Sequence, residues 1–115
     1  MQITRADAAP KYEAPGHWGM AALRLQGHDA TSTTSNWVGL SHFLPGGGAG
    51  PSASNLERIY VVLDGEITLI GEDGVETVLR RLDSVVFTPG ESRTVENRST
   101  MPASMLVLMP YPPVG

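Results

Sequence analysis

The sequence predicts an all-β domain that folds as one antiparallel barrel or jelly roll. Its 115 residues include 13 glycines and 9 prolines, a fraction too high for a helix bundle but typical of short strands joined by tight turns. Short apolar runs recur at regular intervals, and none has the 3.6-residue periodicity of an amphipathic helix. Two Asp-Gly pairs, at 64–65 and 73–74, are typical of turns between paired strands.

The N-terminal half is predicted to contain an arm, two strands and two loops. Residues 1–16 are polar and contain two prolines, so they are interpreted as an arm or a short edge strand. The first strand is predicted over 18–25 and the second over 36–44, with a turn-rich loop between them. The segment 45–55 (PGGGAGPSASN) is predicted to be a loop that approaches a ligand or another backbone closely, because its glycines have no side chains.

The C-terminal half carries the densest strand signal. The predicted strands of this half are 58–65, 66–74, 75–83, 84–88, 93–97 and 103–109. The Asp-Gly pairs end the first two of these runs, so hairpin turns are predicted there. We therefore expect a single barrel domain of eight to ten strands over 17–115, preceded by the arm, with no helix longer than one turn.

Composition argues against several classes of protein. Eight basic and twelve acidic side chains give a net charge of −4, which disfavours nucleic-acid binding. Without cysteine there is no disulfide, no thiolate nucleophile and no zinc site with cysteine ligands. The longest apolar runs have about five residues, too few to span a membrane, and the N-terminus has no charged-then-apolar signal. We therefore expect a cytoplasmic protein that binds neither nucleic acid nor membrane.

Two segments with glycines at fixed spacing carry a family resemblance. In the first, Gly46 after a proline is followed by a strand that ends at Gly65. In the second, Asp83, Gly90 and Asn97 lie within LDSVVFTPGESRTVEN. These segments resemble the two motifs of the cupin superfamily, and the resemblance extends from the second predicted strand to the last. It implies a double-stranded β-helix, the small jelly-roll barrel of that family.

The resemblance also implies four metal-ligand positions, which hold other residues here. In cupins, two histidines and a glutamate of the first motif and one histidine of the second hold a divalent metal. The matching positions are Ser52, Ser54, Arg58 and Arg93. None of these is a credible ligand for Fe, Mn, Ni or Zn, and two guanidinium groups would repel a cation. We therefore expect neither the usual cupin metal nor another cofactor.

The same resemblance places Arg58 and Arg93 in the barrel interior. Two guanidinium groups that face one cavity form a fork for a carboxylate, a phosphate or a sulfate. The hydroxyl groups of Ser52 and Ser54 would donate to the same anion. These four residues are therefore the candidate substrate-binding groups, and the expected partner is a small anionic molecule.

A different arrangement of Arg58 remains open. Taken alone, strand alternation directs Arg58 to solvent, because Ile59 and its alternate neighbours form an apolar face. In that arrangement the guanidinium pairs with a carboxylate outside the barrel or at its rim: Glu57, Asp64 or Glu96. The inward arrangement instead requires a second sheet or a partner subunit to cover the aliphatic face.

Two residues are candidate catalytic proton carriers. His42 shares strand parity with an apolar set that includes Leu40, so it is predicted to point inward, where a histidine can exchange a proton at neutral pH. Tyr60 would offer a phenol to the same cavity, and Trp37 would stack on a flat substrate at the barrel mouth. The alternative for each is an ordinary packing role. The other two histidines flank the first strand, where surface positions are expected.

Two functions are compatible with these residues. The first is a metal-independent enzyme that moves protons on a small organic anion, as an isomerase, a lyase or dehydratase, or a decarboxylase. The second is a non-catalytic cupin that binds a small ligand or serves as an accessory subunit. Because a 12.2 kDa barrel cannot cover both apolar faces of the 58–63 strand, we also expect a homodimer, with the arm across a neighbour's sheet edge.

Overall fold

The computed structural model describes residues 1–113 and contains nine β-strands and one short 3₁₀ helix. The helix spans Ala6–Ala8, and the strands are β1 (Lys11–Tyr12), β2 (His17–Gln26), β3 (Asn36–Ser52), β4 (Arg58–Asp64), β5 (Ile67–Gly71), β6 (Glu76–Leu79), β7 (Ser84–Phe87), β8 (Arg93–Glu96) and β9 (Ala103–Pro110). All pairings are antiparallel. The all-β jelly-roll barrel predicted from the sequence is confirmed.

The strands form two faces of one barrel, which the long strand β3 joins. The sheet runs in the order β6-β5-β8-β3-β9-β4-β7, and β2 lies against β3 outside this path. The first half of β3 pairs with β9, and its second half pairs with β8. The chain thus passes from one face to the other within a single strand, which closes the barrel around an interior cavity.

The glycine-rich segment is part of β3, and the loop predicted over 45–55 is wrong for most of its length. Gly48 pairs with Trp18 of β2 and Glu96 of β8, and Ala49 continues the β8 ladder. A Cβ atom on Gly47 would overlap the carbonyl oxygen of Gly19. The glycines therefore let three backbones pack closely where the strand bends between the two faces.

Only one of the two Asp-Gly pairs closes a hairpin. Gly74, with φ of 81°, lies in the turn between β5 and β6, and Glu76 pairs with Ile70 across it. Gly65 instead lies where the chain crosses between faces, because β4 pairs with β7 and β9 while β5 pairs with β6 and β8. The hairpin predicted at 64–65 is therefore wrong, although Gly65 has a turn-type φ of 77°.

The N-terminal segment pairs with its own barrel. Strand β1 runs beside β2, with Lys11 opposite Leu23 and Tyr12 opposite Ala22. This pairing brings the Tyr12 side chain to the barrel cavity. Residues 11–12 therefore form the short edge strand that the sequence analysis gave as one possibility for this segment.

Alternation along the strands separates the cavity side from the outer side. On β4, Arg58, Tyr60 and Val62 are buried, while Ile59 is more than a third exposed. The inward arrangement of Arg58 implied by the family resemblance is therefore the observed one, and the outward one is excluded. The buried core lies inside the barrel, and several of its residues, Phe43 and Met105 among them, also line the cavity. No helix within residues 1–113 is long or apolar enough to span a membrane.

Candidate functional site

A cavity of about 600 Å³ occupies the open end of the barrel. Its size falls within the range of small-molecule sites. Strand register orders its walls into layers. Trp37 pairs with Met109 near the open end, whereas Ser41 pairs with Met105 and Met105 with Val62 near the closed end.

One layer of the cavity crosses four strands. Arg24 of β2 pairs with Gly39 of β3, Gly39 with Val107 of β9, and Val107 with Tyr60 of β4. Three interstrand steps of about 4.8 Å therefore separate Arg24 from Tyr60 along the curved wall. Gly39 contributes no side chain. The Arg24 guanidinium and the Tyr60 phenol therefore face the cavity from the two ends of this layer.

Arg58 is held by backbone and hydroxyl oxygens. Its Nη1 atom donates to Ser52 Oγ at 3.2 Å, and its Nη2 atom donates to the carbonyl oxygens of Ser52 and Glu91 at 3.2 and 3.1 Å. The guanidinium lies 5.4 Å from the centre of the Phe87 ring. These contacts fix the plane of the guanidinium and leave its Nε atom buried, without a hydrogen-bond partner among residues 1–113.

Arg93 is held by Tyr60. Its Nε and Nη2 atoms donate to the phenolic oxygen at 2.9 and 2.8 Å, and both side chains are buried. Nη1 of Arg93 is a second buried nitrogen that has no hydrogen-bond partner in the described part of the chain. Both lone pairs of the Tyr60 oxygen are thereby used, so its own hydrogen is available to a ligand.

No carboxylate of residues 1–113 lies within 4 Å of either buried guanidinium. The ion pairs of this part of the chain join Arg80 with Glu66, and Arg98 with Glu76 and Glu96, on the outside of the barrel. The carboxylate pairing considered for Arg58 is therefore wrong. Burial lowers the pKa of Arg58, and the nearby Arg93 charge lowers it further, while Tyr60 and Glu91 favour its charged form. Two guanidinium charges that are removed from water repel each other, and an anion bound between them stabilises both.

His17 faces this cavity, contrary to the surface position predicted for it. It begins β2, pairs with Ala49 and lines the cavity together with Tyr60 and Arg93. Burial lowers the pKa of His17, and the Arg93 charge lowers it further. The imidazole is therefore neutral at pH 7 and can accept a proton from a bound molecule.

Aromatic and cationic side chains surround the open end. This mouth cluster consists of Tyr12, Arg24, His28, Trp37 and Tyr111. The Arg24 guanidinium lies 3.5 Å from the centre of the Tyr12 ring and 4.7 Å from that of Trp37. His28 packs edge-on against Trp37 and Tyr111, and its backbone N–H donates to the Tyr111 hydroxyl at 2.9 Å. Trp37 therefore lies at the mouth, where the sequence analysis placed it.

Two predicted site residues lie elsewhere. His42 is exposed on the outer face of β3, where its Nδ1 atom is 2.8 Å from Ser104 Oγ. Its predicted inward orientation is wrong because Leu40, which shares its parity, is buried on that outer face between Leu23 and Leu106. Ser54 does not line the cavity, because its hydroxyl accepts from the N–H of Leu56 in the loop before β4.

The residues at the four family ligand positions do not fit a divalent metal. Arg58 and Arg93 bring two positive charges, and the Ser52 hydroxyl already accepts a hydrogen bond from Arg58. Within residues 1–113, no group of three histidine, cysteine, aspartate or glutamate side chains is placed to hold a metal ion. The donor set fits an anion, and no step of the chemistry is assigned to a metal.

Sequence reasoning missed two residues of the site. Arg24 had no motif to identify it, although it alternates with apolar neighbours in the first predicted strand. His17 precedes that predicted strand by one residue, and the strand in fact begins at His17. Strict alternation from Met20 and Arg24 would direct His17 outward, and the register shift between Trp18 and Met20 brings it to the cavity.

The chain is similar to a curated protein over nearly its full length. It is 47% identical over 112 residues to a protein of Mycobacterium tuberculosis named beta-D-galactosidase, covering 97% of this chain and 96% of that protein.

Solved structures of low sequence identity share the fold. The polyketide cyclase RemF from Streptomyces resistomycificus matches with a TM-score of 0.85 at 16% identity, covering 96% of this chain and 79% of that one. A sugar phosphate isomerase of the cupin superfamily from Silicibacter pomeroyi matches with a TM-score of 0.79 at 23% identity, covering 95% and 75%. The cupin domain model matches residues 39–109. The chain is therefore a member of the cupin superfamily.

Proposed function

We propose that the barrel cavity binds a small organic anion and moves a proton on it without a divalent metal. The observation that carries this proposal is the pair of buried guanidinium groups, Arg58 and Arg93, with no carboxylate of residues 1–113 within 4 Å. Each retains a buried nitrogen that has no hydrogen-bond partner in this part of the chain. An unpaired buried charge costs several kcal/mol, and a bound carboxylate or phosphate offsets that cost.

The proton chemistry uses groups that already line the cavity. The guanidinium groups of Arg58 and Arg93 stabilise the negative charge that develops beside the anion in an enolate-like state. Neutral His17 takes the proton, in place of His42, and the Tyr60 hydroxyl donates to the oxygen on which charge accumulates. Isomerisation, β-elimination and decarboxylation all use such a set of groups.

Anion binding by wild-type protein and two matched arginine variants tests the proposal. Titration calorimetry with benzoate and with inorganic phosphate is expected to detect binding of at least one anion by the wild type. Arg93→Met is expected to abolish it and to leave the protein as stable as before or more so. The control, Arg98→Met, removes an arginine outside the barrel and retains binding. Binding that is unchanged in Arg93→Met contradicts the proposal.

A non-catalytic ligand-binding protein is the alternative within the same site. The placement of His42 outside the cavity favours it, because one of the two predicted proton carriers is absent from the site. His17→Gln and Tyr60→Phe distinguish the two functions. Loss of turnover with binding retained in His17→Gln supports an enzyme, whereas binding in the absence of any turnover supports a sensor or accessory subunit.

Hydrolysis of a β-D-galactoside is a second candidate, which the 47% identity to the mycobacterial protein favours. Glycosidases ordinarily use two carboxyl groups on opposite sides of the scissile bond. None of the side chains of residues 1–113 that line the cavity is an aspartate or a glutamate. Hydrolysis here would therefore proceed without a carboxylate in the cavity, and His17→Gln and Tyr60→Phe would each reduce cleavage of a chromogenic β-D-galactoside.

A further inference from the structure

The polar side chains that line the cavity have far more hydrogen-bond donor groups than acceptor atoms. They are arginines, tyrosines, histidines and serines, and within residues 1–113 the lining includes no aspartate, glutamate, asparagine or glutamine. Arginine has no acceptor atom at all. A sugar ring presents several hydroxyl groups, and each needs an acceptor for its hydrogen when it leaves water.

Several acceptor oxygens of the lining are already used within the protein. The Tyr60 oxygen accepts two hydrogen bonds from Arg93, and the Ser52 hydroxyl accepts one from Arg58. The Tyr111 hydroxyl accepts from the backbone N–H of His28. The unused polar capacity near the two inner arginines is therefore mostly donor capacity, which suits a ligand with acceptor atoms at one end.

The remaining walls are apolar. They consist mainly of side chains from four strands: Met20, Phe43, Val95, Met105, Val107 and Met109. Phe43, Val95 and Met105 are almost completely buried, and their side chains have no N–H, O–H or oxygen atom that could bond a ligand hydroxyl group. Apolar surface of this kind gains free energy by covering apolar ligand surface and gains nothing from a hydroxyl.

The mouth cluster adds an aromatic surface to this apolar chamber. The Trp37 ring extends over Gly39, where a Cβ atom would lie 3.1 Å from it, and the Tyr12 hydroxyl would lie 3.4 Å from the same point. Gly39 thus allows both rings into the cavity. A flat ligand ring that lies beside Trp37 contacts aromatic and methionine side chains, while the anionic end of the same ligand reaches Arg58 and Arg93.

We infer that the anion taken by this cavity is a compact carboxylic acid with an aromatic or alicyclic body and few hydroxyl groups, rather than a sugar acid or a sugar phosphate. The carboxylate lies between Arg58, Arg93 and the Tyr60 hydroxyl, and the ring lies against the apolar walls. This inference rests on the proposed anion-binding function and narrows its substrate class.

Two acids of equal charge test the inference on wild-type protein. Benzoate and glucuronate each carry one carboxylate on a six-membered ring, and they differ in hydroxyl content. Titration calorimetry is expected to give benzoate at least a tenfold lower Kd than glucuronate, with cyclohexanecarboxylate closer to benzoate. Glucuronate that binds as tightly as benzoate, or more tightly, overturns the inference.

The arginine variant separates failure of the inference from failure of the proposed function. If glucuronate binds better, or if only inorganic phosphate binds, and that binding is lost in Arg93→Met, the anion site stands and the ligand class is wrong. If neither acid nor inorganic phosphate binds, or if the acids bind Arg93→Met as tightly as wild type, the anion site itself is wrong and the inference fails with it. The comparison of acids on the wild type does not depend on whether any variant folds.

A matched pair of isosteric substitutions tests the role of the wall. Val107→Thr places a hydroxyl group in the apolar wall, and Val61→Thr makes the same change on the outer face of β4. Val107→Thr is expected to reduce the preference for benzoate over glucuronate at least threefold, while Val61→Thr leaves it unchanged. An equal preference in both variants contradicts the assignment of this wall to the ligand ring.

Discussion

The guanidinium of Arg93 donates two hydrogen bonds to the phenolic oxygen of Tyr60, from Nε at 2.9 Å and from Nη2 at 2.8 Å. The two residues lie on different strands, β8 and β4, which do not pair with each other. The contact therefore crosses the cavity from one face of the barrel to the other. It holds a buried cation in place without neutralising it, which leaves the positive charge available to a ligand.

Replacing Tyr60 by phenylalanine tests this contact. The substitution leaves two charged donors of Arg93 buried without an acceptor, so we expect a loss of about 1–3 kcal/mol in the free energy of unfolding. Tyr12→Phe is the matched control, because it removes a phenolic oxygen from the same cavity at a half-buried position. Urea denaturation measures both variants, and an equal loss in the two would contradict a special role for the Arg93 contact.

The stability of the protein is expected to depend on pH through His17. Burial and the Arg93 charge lower the pKa of His17 in the folded state, while the unfolded chain has the ordinary value of about 6.5. Between these two pKa values the unfolded chain binds more protons, so the free energy of unfolding falls as the pH falls below about 6.5. Above that pH, His17 is neutral in both states and makes no such contribution.

Thermal unfolding from pH 7.5 to pH 5 measures the effect. His17→Gln is expected to flatten the profile relative to wild type, whereas His42→Gln, on the outer face, is expected to leave it unchanged. Burial also lowers the pKa of His28, so some pH dependence is retained in His17→Gln. A profile that has the same slope in His17→Gln as in wild type would show that His17 is not buried beside Arg93.

The close approach of three backbones at the bend of β3 is expected to make Gly47 intolerant of a side chain. A Cβ atom there would overlap the Gly19 carbonyl oxygen and lie 3.0 Å from that of Leu44, so the backbone would have to move. We expect Gly47→Ala to cost about 3 kcal/mol in the free energy of unfolding. Gly74→Ala, in open space at φ of 81°, is expected to cost about 1 kcal/mol, and an equal or smaller cost for Gly47→Ala would contradict this packing.

The barrel could be predicted from the sequence because its strands are short and end at turn residues, but the direction of individual side chains could not. On β4 alternation alone directed Arg58 to solvent, because Ile59 and its alternate neighbours are apolar, and only the family motif placed Arg58 inward. On β3 the burial of Leu40 on the outer face made His42 look internal. Arg24 reaches the cavity through a register with Gly39 that no local pattern encodes.

We propose that the protein forms a homodimer through the outer face of the barrel, because apolar side chains are exposed there. Ile59 pairs with Val86 on one side and Leu108 on the other, and Leu108 pairs with Val38. Ile59 is 37% exposed and Val86 53% exposed, so a continuous aliphatic surface faces solvent in the isolated chain. Such a surface gains free energy when a second copy covers it, and a two-fold axis allows the same patch to cover itself.

Light scattering at micromolar concentration is expected to give twice the 12.2 kDa mass of the chain. Val86→Lys places a charge within this surface and is expected to produce a monomer without unfolding it, because the side chain is already half exposed in the single chain. Val78→Lys makes the same change on β6, away from the proposed interface at a 41% exposed position, and is expected to remain dimeric. A monomeric wild type, or a dimer that persists in Val86→Lys, would mean that the aliphatic face of β4 is not the interface.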